Sequence, residues 1–326
     1  MRGLYTSLGK KVRRVDRFAE WLERALRHYA GRHGMPDVLN AHCATPAGWA
    51  ALEVAGKVQP RPRVVLTEHT GPFELLLADP EIAERTLAAC RDADAICAVG
   101  YRLRDDMAEA GVTRAIEVIP NPVSSSFRFA DLPPAGRAPD GRASFTGLFV
   151  GTLLPTKGIA ELARAIERLA DDGALDLRWE IFGEGPEQEA LSRVFASGPA
   201  RGKGTLHGVR SKEEIARVMR TSHFLALPSY YENCPLAVVE ALSMGRPVVG
   251  TRGTGMEFYV LPGDGILCEP KSVEDLERAI RELVQAPWDA RAIAARAAER
   301  FSPETIATQY ARLFGPTAGA ATAAGA

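Results

Sequence analysis

The sequence predicts an α/β protein in which helices cover parallel sheets, divided into two domains. Two observations predict this class. Short apolar runs alternate with longer helical stretches along the chain, and a segment rich in proline and glycine, residues 132–141, separates a first alternating series from a second. The length of 326 residues suits two domains of ordinary size.

Composition narrows the class of function. The chain is 46% apolar and 25% charged, which argues against disorder. Its net charge of −1 provides no overall positive electrostatic field that would attract nucleic acid. No run is apolar enough to cross a membrane and no signal peptide is evident, so we expect a cytoplasmic protein. The cysteines lack C-x-x-C spacing, and so indicate neither a zinc site nor a disulfide framework. They are Cys43, Cys90, Cys97, Cys234 and Cys268.

Buried strands are predicted wherever a short apolar run is bounded by turn residues. In the first domain these are residues 37–41, 64–67, 95–99 and 116–120. In the second they are residues 147–151, 178–182, 204–207, 224–227, 247–250 and 265–268. The predicted organisation is a first domain of residues 1–131, a linker 132–144, a second domain 145–302, a terminal helix 303–314 and a disordered tail 315–326.

Residues 12–33 read as an amphipathic helix with arginines around an apolar stripe. The stripe consists of Phe18, Trp21, Leu22, Leu26 and Tyr29. We expect it to pack on the sheet and leave the arginines solvated. Contact with an anionic membrane surface is the less favoured alternative.

The most informative segment is residues 228–249, where Glu232 and Glu240 stand eight positions apart around the start of a short helix. Pro235 suits the first helical position, with Asn233 or Cys234 as its cap, and Gly245 suits the left-handed position after the helix. The N-terminus of this helix follows a parallel strand, where α/β sheets bind ligands and free N–H groups favour an anion such as a diphosphate.

This segment resembles the E-x7-E region of the retaining GT-B glycosyltransferases of family 4. The matching residues are Glu232, Pro235, Glu240, Ala241, Gly245, Pro247, Val248 and Val249. The resemblance implies two Rossmann-like domains whose parallel sheets face a cleft. It places Glu232 beside the donor sugar, Glu240 on the ribose, and the Pro235–Leu236 amides on the diphosphate. Without the surrounding pattern, two surface glutamates beside a buried helix would be the simpler interpretation.

Residues 149–158 form a strand, a glycine turn and a lysine at the start of a helix. A lysine there can place its ammonium on phosphate oxygens. The family has G-R-L-x-x-x-K-G at this place, so Gly151 and Lys157 are assigned to the donor diphosphate. Thr152 stands where the family usually has arginine. We therefore expect the donor to bind more weakly, or with help from another group in place of that arginine.

Further donor contacts follow from the resemblance. Gly183 belongs to a G-x-G-P turn that shapes the nucleotide pocket, and Val209 lies in the stretch whose backbone reads the base. His207 and Arg210 are predicted to be structural or surface residues, and Glu257 to be a structural partner in a glycine-rich turn.

His69 ends a predicted strand of the first domain and is the main candidate there, because a histidine can hydrogen-bond a sugar hydroxyl or phosphate. His42, at the end of the preceding strand, is equally well explained as a core histidine. Asp92 and Asp94 match the D-x-D metal motif of GT-A enzymes, but capping and solvation explain them better. We therefore predict no essential metal and no cofactor.

The predicted function is transfer of a hexose from a nucleotide sugar to an acceptor hydroxyl, with retention of configuration and without a metal. A UDP-sugar is the default donor, and the acceptor and oligomeric state are not indicated. Compared with the family pattern, we expect the first domain to lack its opening strands, through truncation or natural trimming. Two alternatives therefore remain: a degenerate nucleotide-binding protein without transfer activity, and a GT-B epimerase or phosphorylase.

Overall fold

A computed structural model describes residues 8–315 of the chain, with side chains from residue 15 onward. The described residues form two compact units. Of the described residues, unit 1 contains 8–120 and 306–315, and unit 2 contains Asn121–Thr305.

The described part of unit 1 is built on a parallel sheet of four strands in the order β1-β2-β3-β4. The strands are β1 (Val38–His42), β2 (Arg63–Glu68), β3 (Ala95–Ala98) and β4 (Glu117–Val118). The accompanying α-helices are α1 (Leu8–His33), α2 (Trp49–Ala55), α3 (Pro80–Asp92) and α4 (Tyr101–Glu109). β2 lies between two neighbours, and its central residues Val64, Val65 and Leu66 are fully buried.

Among the described residues, unit 2 has a sheet of seven strands whose main order is β11-β10-β9-β6-β7-β8, with β5 on β6. The strands are β5 (Gly136–Arg137), β6 (Ala143–Val150), β7 (Asp176–Phe182), β8 (Gly204–Gly208), β9 (Phe224–Ala226), β10 (Val248–Thr251) and β11 (Gly265–Cys268). The helices are α5 (Ile159–Asp172), α6 (Gln188–Ala196), α7 (Lys212–Thr221), α8 (Leu236–Ser243), α9 (Val273–Gln285) and α10 (Ala290–Phe301). One large apolar core fills the space between sheet and helices.

The predicted fold class is confirmed, because all ten predicted strands occur and pair in parallel. β5 was not predicted. It pairs antiparallel with the start of β6, inside the segment that the sequence indicates as a linker. β6 begins at Ala143 rather than Gly147, and this extension provides the edge on which β5 pairs.

Residues 121–131, which the sequence assigns to the first domain, pack within unit 2. The Val123 N–H donates to the Phe301 carbonyl at 2.9 Å, and Phe127 is buried in the core of unit 2. The guanidinium of Arg246 is fully buried and donates to the carbonyls of Ala130 and Asp131. Burial lowers the pKa of Arg246 to about 10. These contacts explain why the compact units divide ahead of the proline-rich segment.

The terminal helix α11 (Pro303–Phe314) packs mainly with unit 1 from Ile306 onward. Ile306 and Leu313 join the core cluster of Val65 and Cys97. The Tyr310 hydroxyl lies 3.3 Å from the Thr67 hydroxyl. Residues 316–326, nearly all of the tail predicted to be disordered, lie outside the described residues.

Helix α1 departs from the prediction in which face it buries. Val15, Ala19 and Leu26 are buried, whereas Trp21 is 56% and Tyr29 50% exposed. The predicted stripe was therefore partly wrong, because the packed face is made of smaller side chains. No helix in the described range is long and apolar enough to cross a bilayer.

Candidate functional site

Helix α8 begins at Leu236, one residue after the position that the sequence predicts, and follows the loop after β9. Its cap differs from the prediction. Pro235 is itself the N-cap, in place of the predicted Asn233 or Cys234, and its carbonyl accepts from the Val238 and Val239 N–H groups. Leu236 is the first helical residue and is partly exposed. The N–H groups of Leu236 and of the next residue, Ala237, precede these bonds to the Pro235 carbonyl and have no intrahelical acceptor, so this end can hold an anion. At the other end, Gly245 adopts the predicted left-handed conformation, with φ of 79°.

Glu232 and Lys157 meet in an ion pair just before α8. The Lys157 Nζ lies 2.6 Å from the Glu232 carboxylate, which is largely buried. The Glu232 N–H donates to the Thr254 carbonyl at 2.8 Å, which fixes the backbone at this position. Two residues assigned to the donor from separate motifs are thus in direct contact.

The turn that carries Lys157 approaches the β9 loop closely because of Gly158. This residue has φ of 68°, and a Cβ added to it would lie 2.2 Å from the Pro228 carbonyl oxygen. The Tyr230 N–H also donates to the Thr156 carbonyl at 2.8 Å. Glycine is therefore required at position 158 both for conformation and for space.

Glu240 lies on the first turns of α8 and is 6% exposed. Burial raises the pKa of its carboxyl to about 7, and the ammonium of Lys212 opposes this rise. The Lys212 Nζ lies 3.8 Å from the carboxylate. Lys212 is the first residue of α7, and its proximity to Glu240 was not predicted.

The glycine turns after β6 and β7 pack backbone against backbone. The Gly151 N–H donates to the Phe182 carbonyl at 3.0 Å, and a Cβ on Gly183 would lie 1.9 Å from the Gly151 carbonyl oxygen. The side chain of Thr152 is exposed beside them. Because the carboxyl ends of β6, β7 and β9 lie along one edge of the sheet, these turns share that edge with the β9 loop.

The loop after β8 reaches the same edge. The Gly183 N–H donates to the Gly208 carbonyl at 2.9 Å, and Val209 is 67% exposed. His207 stacks on Phe182 with ring centroids 4.2 Å apart and hydrogen-bonds Glu180. Arg210 donates to the Val209 carbonyl, and the Glu257 carboxylate accepts from the Gly255 N–H.

In unit 1, His69 directly follows β2 and contacts His42, the last residue of β1. The His42 Nδ1 and His69 Nε2 atoms are 2.8 Å apart, and the rings stack with centroids separated by 5.0 Å. Burial, together with His42, lowers the pKa of His69.

A chain of hydrogen bonds determines which nitrogen of each ring carries the proton. The Thr67 hydroxyl donates to Asn40 Oδ1 at 3.0 Å, so the Asn40 Nδ2 atom faces His42 Nε2 at 3.4 Å. His42 Nε2 is then an acceptor, its Nδ1 carries the proton and donates to His69 Nε2, and the proton of neutral His69 is on Nδ1. Asn40 thus selects the tautomer of His69.

Glu68, next to His69, is fully buried, and its carboxylate accepts three backbone hydrogen bonds. The Ala44 N–H donates at 2.6 Å, the His69 N–H at 2.9 Å and the Thr70 N–H at 2.7 Å. This carboxylate joins the loop after β1 to the loop after β2. It therefore holds the backbone that carries the two histidines.

The two carboxylates of the D-x-D pair, Asp92 and Asp94, are directed to arginine and backbone partners. Asp92 pairs with Arg91, and Asp94 accepts from Arg61 at 2.9 Å and from the Val64 N–H at 2.7 Å. Within the described residues, no group of three or more His, Cys, Asp or Glu side chains could hold a metal ion.

Sequence reasoning missed Lys212, Asn40 and Glu68. Asn40 stands two residues before His42 on the same face of β1, and Glu68 precedes His69 at the end of β2. Both therefore lie near the carboxyl ends of parallel strands, where such sites form. That position was a usable signal. Lys212 gave none, because its contact with Glu240 joins two helices that are distant in the chain.

Two family models match the chain. "Glycosyl transferases group 1" matches residues 142–301 and "Glycosyltransferase Family 4" matches residues 2–127. An uncharacterised glycosyltransferase of Methanocaldococcus jannaschii is 29% identical over 76% of this chain and 65% of its own length. The alpha-D-kanosaminyltransferase of Streptomyces kanamyceticus is 25% identical over 68% of this chain and 59% of its own. The chain spans less than two thirds of these curated relatives.

Solved structures show the same fold. Sucrose-phosphate synthase from Thermosynechococcus elongatus superposes with a TM-score of 0.71 at 20% identity, over 95% of this chain and 79% of that one. Anabaena HepE, solved in complex with UDP, superposes with a TM-score of 0.71 at 18% identity, over 90% of this chain and 80% of that one.

Proposed function

Because the chain belongs to the GT-B glycosyltransferases of family 4, also called group 1, we propose that it transfers a hexosyl group from a nucleoside-diphosphate sugar to an acceptor hydroxyl. The observation that carries this proposal is the contact between Lys157 and Glu232 at the start of α8, with Glu240 buried on the same helix. It combines a cation, a helix N-terminus and two carboxylates at one sheet edge.

The difficult step is departure of the nucleoside diphosphate, on which negative charge develops. Lys157 is placed to stabilise that charge together with the N–H groups of Leu236 and the following residue. Since an ammonium and helix N–H groups supply this positive charge, the proposed reaction needs no metal ion. When the donor binds, the Lys157 ammonium exchanges Glu232 for a phosphate oxygen, and Glu232 turns to the sugar.

Glu240 accepts hydrogen bonds from the ribose hydroxyls, most strongly when its carboxyl is ionised. The Val209 backbone contacts the base, and Gly151, Thr152 and Gly183 line the donor pocket through their main chain. A UDP-sugar is the proposed donor. HepE, one of the structural neighbours, binds UDP, and this likeness supports the choice of base.

On unit 1, the proton on His69 Nδ1 makes this residue a hydrogen-bond donor to a sugar hydroxyl or phosphate oxygen. His69 is therefore proposed to position substrate rather than to remove a proton. No residue is assigned as a general base for the acceptor hydroxyl. This accords with retention of configuration, in which a phosphate oxygen of the leaving group can take the acceptor proton.

The decisive experiment is calorimetric titration of the full chain with UDP, GDP and ADP, and then with the matching sugar nucleotides. Lys157→Met and Glu240→Gln should each weaken binding of the preferred nucleotide. The matched control is Lys203→Met: Lys203 also pairs with a buried carboxylate, Asp176, and its side chain is 23% exposed against 25% for Lys157. This control should bind as the unchanged protein does.

Assays of donor turnover separate the remaining functions. Sugar transfer with retained anomeric configuration supports the proposal, dependence on inorganic phosphate indicates a phosphorylase, and interconversion of free nucleotide sugars indicates an epimerase. Nucleotide binding without any turnover indicates a binding protein. Folded protein that binds no nucleotide refutes the proposal.

A further inference from the structure

Helix α1 presents a tryptophan to solvent on the side opposite its packed face. Trp21 is 56% exposed, while Val15, Ala19 and Leu26 are 5–7% exposed. At 100° per residue, Trp21 lies well over 100° around the helix from each of these buried positions. An exposed tryptophan on the outer face of a packed helix is unusual, because burial of its large apolar surface stabilises a fold.

Arginines surround this tryptophan. Arg17 precedes Trp21 by one helical turn and Arg24 follows it by one turn, and both are exposed. Arg32 and His28 continue the same face toward the end of the helix and are exposed as well. Residues spaced three or four apart lie side by side on a helix surface, so these side chains form one continuous stripe. We call Arg17, Trp21, Arg24, His28 and Arg32 the α1 stripe.

The acidic residues of α1 neutralise little of this charge. Asp16 pairs with Arg85 at 2.8 Å, and Glu23 pairs with Arg27 and Lys57. Within the described side chains, no carboxylate forms an ion pair with the three arginines of the stripe. Glu20 has no described ion pair, but it lies three residues after Arg17 and four before Arg24 and so borders the stripe.

Basic charge is concentrated on this helix. It contains eight Lys and Arg against three Asp and Glu, a net charge of +5, in a chain whose net charge is −1. The remainder of the protein is therefore acidic. An anionic surface attracts the basic helix and repels the acidic remainder, so the protein approaches such a surface with this helix facing it.

We propose that the α1 stripe binds the surface of an anionic lipid bilayer, with Trp21 inserted at the headgroup level and the arginines on lipid phosphates. Tryptophan is favoured at membrane interfaces because its ring is apolar and its N–H is polar. Arginine matches phosphate oxygens with paired hydrogen bonds. A second copy of this chain is less suitable as the occupant, since two basic stripes would repel, and a nucleic acid offers no apolar layer for Trp21.

The test is cosedimentation of the full chain with vesicles of phosphatidylcholine and phosphatidylglycerol, against vesicles of phosphatidylcholine alone. Binding should require the anionic lipid and weaken as salt is added. Tryptophan emission should shift to shorter wavelength on binding. Trp179 is buried and Trp49 and Trp288 are half-buried, so the shift should disappear in Trp21→Phe.

The double variant Arg17→Glu/Arg24→Glu should reduce partitioning by about 25-fold or more, since each basic residue near an anionic surface contributes about a fivefold gain. Arg178→Glu/Arg193→Glu is the matched control. It makes the same change in net charge at two exposed arginines of unit 2. The control should lose much less binding than the α1 variant.

The proposal is overturned if the anionic vesicles bind no protein, if both double variants lose binding equally, or if the emission shift persists without Trp21. It is also overturned if the α1 variant instead converts a dimer into a monomer in sedimentation velocity, or releases bound nucleic acid. Circular dichroism and thermal unfolding of each variant verify that the fold is intact. None of these outcomes depends on the proposed transfer activity.

Discussion

The two units use their buried carboxylates in opposite ways. In unit 2, Glu232 and Glu240 face mobile ammonium groups, those of Lys157 and Lys212. In unit 1, Glu68 faces three backbone N–H groups, and the neighbouring histidines hydrogen-bond each other. Side-chain partners can be exchanged for a ligand, whereas backbone partners cannot be released without local unfolding.

This difference separates two tasks. The unit 2 edge is arranged so that charged groups can be redirected to an incoming anionic donor. The unit 1 edge is arranged so that a neutral imidazole keeps a defined tautomer and position. Four predictions test this contrast, in order of decreasing expected effect.

Glu68→Leu should destabilise unit 1 by at least about 3 kcal/mol, because each buried N–H left without an acceptor costs about 1–3 kcal/mol. Glu240→Leu should be neutral or stabilising above pH 7, since it removes a buried charge held only by a distant ammonium. Hydrogen exchange of the His69 and Thr70 amides would localise the effect. Equal losses in both variants, measured by urea unfolding, would remove the distinction between the units.

Lys157→Met should lower the rate of donor turnover by about 10²–10³, the effect of losing one preorganised group that stabilises developing charge, about 2.7–4 kcal/mol. The measurement is release of nucleoside diphosphate from the donor that calorimetry identifies. Lys203→Met is the control and should keep full turnover. A fall in donor affinity with unchanged turnover would mean that Lys157 binds substrate and transition state equally.

Glu240 should make the stability of unit 2 depend on pH. Its pKa is about 7 in the folded protein against an ordinary value of 4.5, so the folded state retains a proton that the unfolded state releases. Stability should therefore fall as pH rises from about 4.5 to about 7, by up to about 3 kcal/mol.

Glu240→Gln should flatten this part of the pH profile. Urea unfolding at several pH values measures it, with Glu282→Gln, an exposed glutamate of α9, as a control that leaves the slope unchanged. An unchanged slope in Glu240→Gln would contradict the raised pKa.

His42→Phe should raise the pKa of His69 toward its ordinary value of 6.5, because His42 contributes to the lowering, while burial, the larger cause, and the opposing charge of Glu68 remain. Nitrogen-15 NMR of the imidazole should also show His69 protonated on Nδ1 in the unchanged protein. His28→Phe, on the exposed face of α1, should leave both observations unaltered. Protonation on Nε2 in the unchanged protein would refute the hydrogen-bond direction derived from Asn40.

Because His69 has a lowered pKa in the folded state, its neutral form is favoured there. The stability that it contributes is present above pH 6.5 and is lost as pH falls below that value. This slope is opposite in sign to that of Glu240, so pH changes act on the two units in opposite directions.

Features that depend on neighbours in the sequence were predictable. The ten parallel strands, the start of α8 near Pro235 and the left-handed Gly245 follow from apolar runs and turn residues that need no distant contact. The relative placement of Glu232 and Glu240 was also predictable, since Glu232 lies on the loop after β9 and Glu240 on the helix that directly follows it.

Contacts between side chains that lie far apart in the chain were decided only by the tertiary structure. Lys157 reaches Glu232 across 75 residues, and His42 reaches His69 across 27. The exposed side of α1 was likewise undecided, because Trp21 and the smaller residues opposite it are all compatible with a helical period. Periodicity specifies local conformation, but which face is buried and which charges meet depends on packing that brings distant elements together.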